Sequence, residues 1–432
     1  MLFWKKIERW SYEYCYMVIM VIYMAQMTNE TSRMIGGLSG NPISFFFPIV
    51  LTIILLKRNP ISFKHKALFK LLSIVTIWCI CIIIKEKLYS IQELSYIFFF
   101  YYAIIIAFIH CQVYGKRMFY LYEDIMVKIC IIALICWIPA VILPGIMSSI
   151  YHLFPETNYG NNILYLFNWM DPVKGQLFRN AGCAWEPGRF AIMLVLAIYF
   201  NLAHNGIRFK KNRNIIILLL TLVSTQSTTG FSTVVVLYSL FYMKKISIKY
   251  ILGFVFIITP IIYVISNLDF MASKIQDQLD IESQKDDMLV MFDYNNKTKE
   301  EGAYIASLDR FPAMYFEFSN ILEDPILGYG INTNNSYFRK FISSNFILTG
   351  GIVKVLGQYG VFLGLFFYLI LLRSSIAISR DCKNRSKIAL FFVVLLSSIS
   401  YIIFLVPIFT ALWFYAIFKQ NESIYNNKGA IS

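Results

Sequence analysis

Four arginines carry the sharpest chemical signal in this sequence: Arg179, Arg189, Arg310 and Arg339. A guanidinium is planar, stays charged at physiological pH and presents a fork of donors matched to a diphosphate or a carboxylate. Two of the four flank Glu186 in the segment Phe178-Arg179-Asn180-Ala181-Gly182-Cys183-Ala184-Trp185-Glu186-Pro187-Gly188-Arg189-Phe190. Pro187 suits the first position of a helix, where its missing N–H is harmless. Glu186 then stands at the helix mouth, where the macrodipole favours a carboxylate. Two roles are open to it. It organises the two arginines, or it accepts a proton, although a carboxylate held ionised by neighbouring cations is a weak base. The plainer alternative makes Glu186 a helix cap and lets the arginines meet lipid headgroups. Lys174, Lys340 and Lys354 accompany the arginines.

The elements that must position these groups are apolar. The chain has 432 residues, 58% hydrophobic and only 15% charged, and its mean hydropathy is +0.61. Those values exclude an ordinary water-soluble domain and point to a membrane protein. The net charge of +14 does not signal a nucleic-acid partner. Its Lys and Arg sit in short clusters between apolar runs, such as Lys57-Arg58, Lys210-Lys211 and Lys244-Lys245, as cytoplasmic loops do. The eight cysteines are scattered without CxxC pairs or nearby histidines, so neither a metal site, a cofactor nor a disulfide framework is expected. The first apolar run follows Lys5, Lys6 and Arg9 without a small-x-small cleavage site and reads as a retained span.

A bilayer core of about 30 Å takes roughly 20 helical residues. Apolar runs of that order predict an all-α, polytopic transmembrane bundle of about twelve spans. They lie near 12–28, 43–56, 70–84, 94–112, 126–147, 188–204, 214–225, 230–243, 250–266, 351–372, 388–403 and 405–418. Alternating them from a cytoplasmic N-terminus puts every dense basic cluster on one side and both termini in the cytoplasm. The run 388–418 is flanked by basic residues at both ends and needs an even number of crossings, with Pro407 at the turn.

The turn Ser224-Thr225-Gln226-Ser227-Thr228-Thr229-Gly230 lies deep between two short apolar arms. Its hydroxyls either bond back to helix carbonyls or line a wet cavity. Residues 1–266 therefore form spans one to nine, with a short external segment at 148–187. Residues 267–350 form a large external loop carrying about half of the acidic residues, and 351–432 the last three spans and a tail. A loop that long is expected to fold as a small external subdomain or lid. No internal repeat of the kind seen in many transporters is evident.

Arg179, Gly182, Glu186 and Pro187 fit an R-x-x-G-x-x-x-E-P pattern. Further on, Asp309-Arg310-Phe311 precedes Glu323-Asp324-Pro325-Ile326-Leu327-Gly328-Tyr329-Gly330, and Gly357-Gln358-Tyr359-Gly360-Val361-Phe362-Leu363-Gly364 opens the next span. In this order the motifs resemble the bacterial O-antigen polymerase and ligase superfamily, over roughly residues 175 to 372. The match is closest to Wzy-type polymerases of O-antigen or capsule. Tyr315 or Phe316 stands near that family's expected Trp. Ser227-Thr228-Thr229-Gly230 replaces its Ser-Arg turn, and Ser343-Ser344-Asn345 replaces the His-Asn pair of the ligase branch. His65, His110, His152 and His204 offer no substitute, which favours a polymerase over a ligase.

The resemblance implies a metal-independent, GT-C-like membrane glycosyltransferase on the outer face of the bacterial cytoplasmic membrane. Its substrates would be undecaprenyl-diphosphate-linked glycans and its surroundings the lipid bilayer, with a chain-length-regulating copolymerase as partner. Arg179 and Arg310 match family positions and are expected to stabilise the diphosphate, with Arg189 and Arg339 secondary. Glu186 is the expected base or acceptor orienter. Asp324, Pro325, Gly328 and Gly330, like Gly182 and Pro187, are expected to shape backbone turns. Tyr315, Phe316 and Tyr329 would seat the loop at the bilayer interface or stack on sugars. The competing activities are an O-antigen ligase and, in a different class, a flippase for the same lipid-linked sugar.

Overall fold

The computed structural model describes residues 11–26, 42–87, 91–157, 160–170, 178–206, 212–242, 310–332, 335–336, 351–384, 386–401 and 403–419. These residues are mostly helical. In chain order the helices are α1 (Tyr12–Gln26), α2 (Pro42–Arg58), α3 (Lys66–Glu86), α4 (Ile91–Val113), α5 (Arg117–Ile142) and α6 (Pro144–Tyr151). A three-stranded sheet follows, then α7 (Pro187–Asn205), α8 (Arg213–Thr225), α9 (Thr228–Tyr242), α10 (Arg310–Glu323), α11 (Gly351–Asp381), α12 (Ala389–Ser400), α13 (Pro407–Trp413) and α14 (Tyr415–Phe418). Five segments, α3, α4 from Tyr96, α5, α7 and α11, are long and apolar enough to cross a membrane. Twelve spans are not reached among the described residues on that criterion: α8, α9 and α12 are apolar but shorter, and α1 and α2 are below 18 residues. The expected span at 250–266 and most of the expected loop at 267–350 lie outside the described residues.

Burial separates centre from rim. In α7 94% of the apolar window is buried, against 33% in α3. An all-apolar helix enclosed on every side is a core helix, and α7 packs against α1, α5, α8, α9 and α12. α3 instead turns Phe69, Ile77, Ile80 and Ile84 outward, each at least half exposed. A continuous apolar exterior of this kind suits lipid rather than water.

Contacts at the helix ends sort them to two poles. At one, which carries most of the basic clusters, Asn59 Nδ2 donates to Glu13 Oε1 at 3.0 Å, Tyr114 Oη to Glu13 O at 3.0 Å and Asn201 Nδ2 to Glu123 Oε1 at 2.7 Å. At the other, Gln26 Nε2 donates to Cys183 O at 2.7 Å, Trp137 Nε1 to Phe178 O at 2.9 Å and Lys85 Nζ to Gly328 O at 2.7 Å. The residue 178–190 segment and the 324–332 loop therefore share one pole.

Several expected boundaries move. The span expected at 126–147 is α5, which begins at Arg117 and stops at Ile142 ahead of Pro144, where a new short helix opens. The one expected at 351–372 continues to Asp381. The return expected at 405–418 is two short helices, α13 and α14, rather than one span. The chain is not all-α: strands Glu156–Thr157, Gly160–Ile163 and Phe167–Trp169 form an antiparallel sheet in the order β1-β2-β3. Period-2 patterning cannot announce strands of two to four residues. They are held by the tight turn at Leu164 and Tyr165, both at positive φ, and by Tyr165 N–H donating to Asn162 Oδ1 at 2.7 Å.

α11 is broken at Gly360, whose φ of 78° and ψ of 162° are not helical. The break releases backbone groups inside an apolar bundle, where each must find a partner. The 325–330 loop supplies them. Val361 N donates to Pro325 O at 2.8 Å, Tyr329 N to Gly357 O at 2.9 Å and Gly330 N to Gln358 O at 3.1 Å. A Cβ at residue 360 would sit 2.0 Å from Ile326 O, so only glycine fits both the angle and the space. Gly360→Ala is expected to cost on the order of 1–3 kcal/mol of stability. Gly145→Ala, in α6 with nothing within 4 Å of the new methyl, is expected to leave the melting temperature of the detergent-solubilised protein unchanged. Equal melting of the two variants would contradict this account of the break.

Candidate active site

The segment 178–190 is built from the backbone outward. Gly182 holds φ at +51°, and a Cβ there would strike the Phe190 ring at 2.3 Å. The turn is fixed by Gly182 N donating to Asn180 Oδ1 at 2.9 Å and by Asn168 N donating to Gly182 O at 2.8 Å. Asn180 ties it to the end of α8, its Nδ2 donating to Ser224 Oγ at 2.9 Å and its backbone N to Ser224 O at 3.0 Å. Pro187 opens α7 as expected, and Glu186 is its N-cap residue without a side-chain cap bond. The carboxylate is therefore not used as a cap. Gly188 lies against Tyr401, whose hydroxyl is 2.3 Å from where a Cβ would be. Tyr401 also packs edge-on to Trp185 at 6.2 Å.

The two arginines of this segment sit on either side of Glu186, which interacts electrostatically with both. Arg179 Nε donates to Thr225 O at 3.2 Å and Nη2 to Gln226 O at 3.4 Å. Those are carbonyls left over at the C-terminal end of α8. Burial pulls the Arg179 guanidinium below the usual arginine range and Glu186 opposes that pull; an arginine nonetheless keeps its charge. Arg189 is 1% exposed. Its Nη2 donates to Met24 O at 3.2 Å, at the end of α1, while Nε and Nη1 have no hydrogen-bond partner among the described residues. A buried cation with unmet donors is costly unless an anion stands close.

The polar turn between α8 and α9 resolves in favour of back-bonding. Ser224 Oγ donates to Thr221 O, Thr225 Oγ1 to Leu222 O and Thr233 Oγ1 to Thr229 O, each at 2.7 Å. Arg179 reaches into this turn from the neighbouring segment, which puts a cation beside a turn that has none of its own.

The second part of the pole is the 324–332 loop with α10. Gly328 and Gly330 are at positive φ, and Lys85, at the end of α3, pairs with Asp324 and with Gly328 O. Trp78 Nε1 donates to Leu327 O at 3.1 Å, and Asn332 N to Glu86 Oε2 at 3.3 Å. Asp324, Pro325, Gly328 and Gly330 thus lock this loop into the break of α11. Tyr329 is 4% exposed and buried in the protein, so it neither seats the loop on a bilayer nor offers a face to a sugar, contrary to expectation. Arg310 is the first residue of α10. Arg339 and Lys174 lie outside the described residues.

Glu317 and its surroundings escaped the sequence reading. Glu317 is 1% exposed on α10, accepts from Asn320 Nδ2 at 2.8 Å and interacts with Lys354 of α11. A Cβ at Gly357 would approach its Oε2 to 3.3 Å, so a glycine there keeps room for the carboxylate. Arg310 lies two helical turns before Glu317 in the chain of α10. The available signal was an acidic residue on the inner face of an amphipathic run; Lys85 and Glu86 were legible as charges closing a span. Burial raises the Glu317 carboxyl above the usual carboxylate range, and Lys354 and Asn320 only partly oppose it.

The folded protein therefore holds the Glu317 proton more tightly than the unfolded chain does. That stabilisation is full below the unfolded carboxyl value of 4.5 and is lost as pH rises through the folded value. Glu317→Gln is expected to remove this slope from a melting-temperature series and to melt at or above wild type at pH 7. A variant that melts lower than wild type at pH 7 would mean that the attraction to Lys354 outweighs burial.

Compared with protein-family profiles, with curated proteins and with solved structures, the chain matches none, so the residues at this pole and their geometry carry the functional argument.

Proposed function

We propose that this chain is a polysaccharide polymerase of the O-antigen or capsule type, acting at the outer face of the bacterial cytoplasmic membrane. The observation that carries the reading is the convergence of Arg179 and Arg189 on Glu186 at the mouth of the central helix α7. The ordered resemblance through Arg310 and the Asp324–Gly330 motif supports it. The basic pole is then cytoplasmic by the positive-inside rule, and the arginine pole faces out.

In this reading the growing glycan, carried on undecaprenyl diphosphate, is transferred to a hydroxyl of an incoming lipid-linked repeat. A bond forms between the acceptor oxygen and the anomeric carbon, and the bond from that carbon to the diphosphate oxygen breaks. The diphosphate leaves with the electron pair, and Arg179, Arg310 and secondarily Arg189 and Arg339 stabilise its charge. Glu186 organises the arginine pair. Glu317, with its raised proton affinity, is the better-matched acceptor for the hydroxyl proton, since base strength follows pKa.

Arg179→Ala and Arg310→Ala are each expected to lower polymer formation about 10²–10³-fold, the usual loss on removing a charge-stabilising donor, with membrane insertion unchanged. Polymer length on the cell surface is the readout, and deletion of the protein should leave single repeats. Persistence of long surface chains on deletion would end the polymerase reading, whereas polymer accumulating only on the carrier lipid would assign a ligase.

A further inference from the structure

The opposite pole holds a cavity that glycosyl transfer does not use. Its volume is about 250 Å³, and it is lined by Ile376, Ser379, Arg380, Asn384 and Lys387. α11 contributes the first three as it ends, and the turn into α12 contributes the others. No acidic residue lines it. The neighbouring Asp381 is already held by Lys419 Nζ at 3.0 Å and by the Tyr415 hydroxyl at 2.8 Å. Among the described residues, neither Arg380 nor Lys387 has an ion-pair partner.

Two further features fix the chemistry. α12 starts beside Lys387, with Ile388 as an N-cap residue that makes no side-chain cap bond. The first turn of α12 is capped from α11, Phe391 N donating to Ser375 Oγ at 3.1 Å, so the charge at the cavity comes from the two side-chain cations. Ser379 Oγ donates to Asn384 O at 2.9 Å and holds the turn in shape. Two cations and no carboxylate around one small cavity fit a phosphate. The apolar surroundings say which phosphate. Ile376 forms one wall, Ile388, which follows the lining Lys387 in the chain, is exposed, and α11 is one of the helices long enough to cross a membrane. The cavity thus opens where a span-length helix ends, the level of lipid headgroups, with apolar side chains for an acyl chain to follow.

We propose that this cavity binds the phosphate of an anionic membrane phospholipid. The site is separate from the arginine pole and does not depend on the polymerase reading. Two headgroup-level cations give an expected loss of about thirtyfold in affinity when both are removed.

The test uses the full-length protein purified in detergent with added phosphatidylglycerol, in parallel with phosphatidylcholine and with inorganic phosphate alone. Bound lipid is counted by native mass spectrometry, and melting temperature is followed as a second readout. Wild type is expected to retain phosphatidylglycerol and be stabilised by it, and Arg380→Ala/Lys387→Ala to lose both effects while melting like wild type without lipid. Equal retention and stabilisation in the variant would overturn the site, as would equal retention of phosphatidylcholine. Stabilisation of wild type by inorganic phosphate to the same extent would overturn the lipid assignment. If the double variant fails to fold, Lys387→Gln alone decides by the same comparison, with a loss of about fivefold expected.

Discussion

A backbone polar group without a partner costs several kcal/mol in apolar surroundings, and much of this architecture answers that constraint. Three interruptions among the described residues show how it is met. The α8–α9 turn exposes carbonyls that Arg179 takes up. The break at Gly360 exposes groups that the 325–330 backbone takes up. The return from α12 is irregular before α13 begins, and there Val406 N donates to Ile403 O at 3.2 Å. Each break lies where the surrounding protein can supply donors or acceptors.

This constraint explains why the residues with the strongest chemical signature are also structural. Arg179 seals a helix end and stands beside Glu186 with its charge intact. In the proposed reaction a guanidinium fixed in this way would meet the leaving diphosphate already oriented, which is when electrostatic stabilisation is effective. The same holds for the glycines. Their conformations let the 324–332 loop approach α11 closely enough to replace the missing helical bonds, and Lys85 and Trp78 grip the loop from α3.

The helices were legible in the sequence because apolar runs bounded by charge are a strong signal. Expectations at 188–204, 214–225 and 230–243 fall within one or two residues of α7, α8 and α9. The start of α5 was missed because Glu123, Asp124 and Lys128 interrupt the apolar run. Glu123 is buried all the same, accepting from Asn201 Nδ2, and Lys128 pairs with Asp124 one turn away. Charges that find partners inside the bundle look like a loop to a reading based on hydropathy. The site was legible as a list of residues and not as a set of contacts. Glu186 and its two arginines are close in sequence, so their meeting could be foreseen. Glu317 meets Lys354 across 37 positions, and only the packing of α10 against α11 brings the two together.

The two carboxylates of this pole sit in opposed environments, and that opposition is the strongest chemical statement the arrangement makes. Glu186 interacts electrostatically with Arg179 and Arg189, the latter buried with donors unmet among the described residues. Glu317 has a single lysine and one amide to set against nearly complete burial. A protein that needed only to fold would do better with an apolar side chain at that position. In the proposed transfer, Glu186 would hold the arginines while Glu317, whose proton affinity burial raises, would take the acceptor proton.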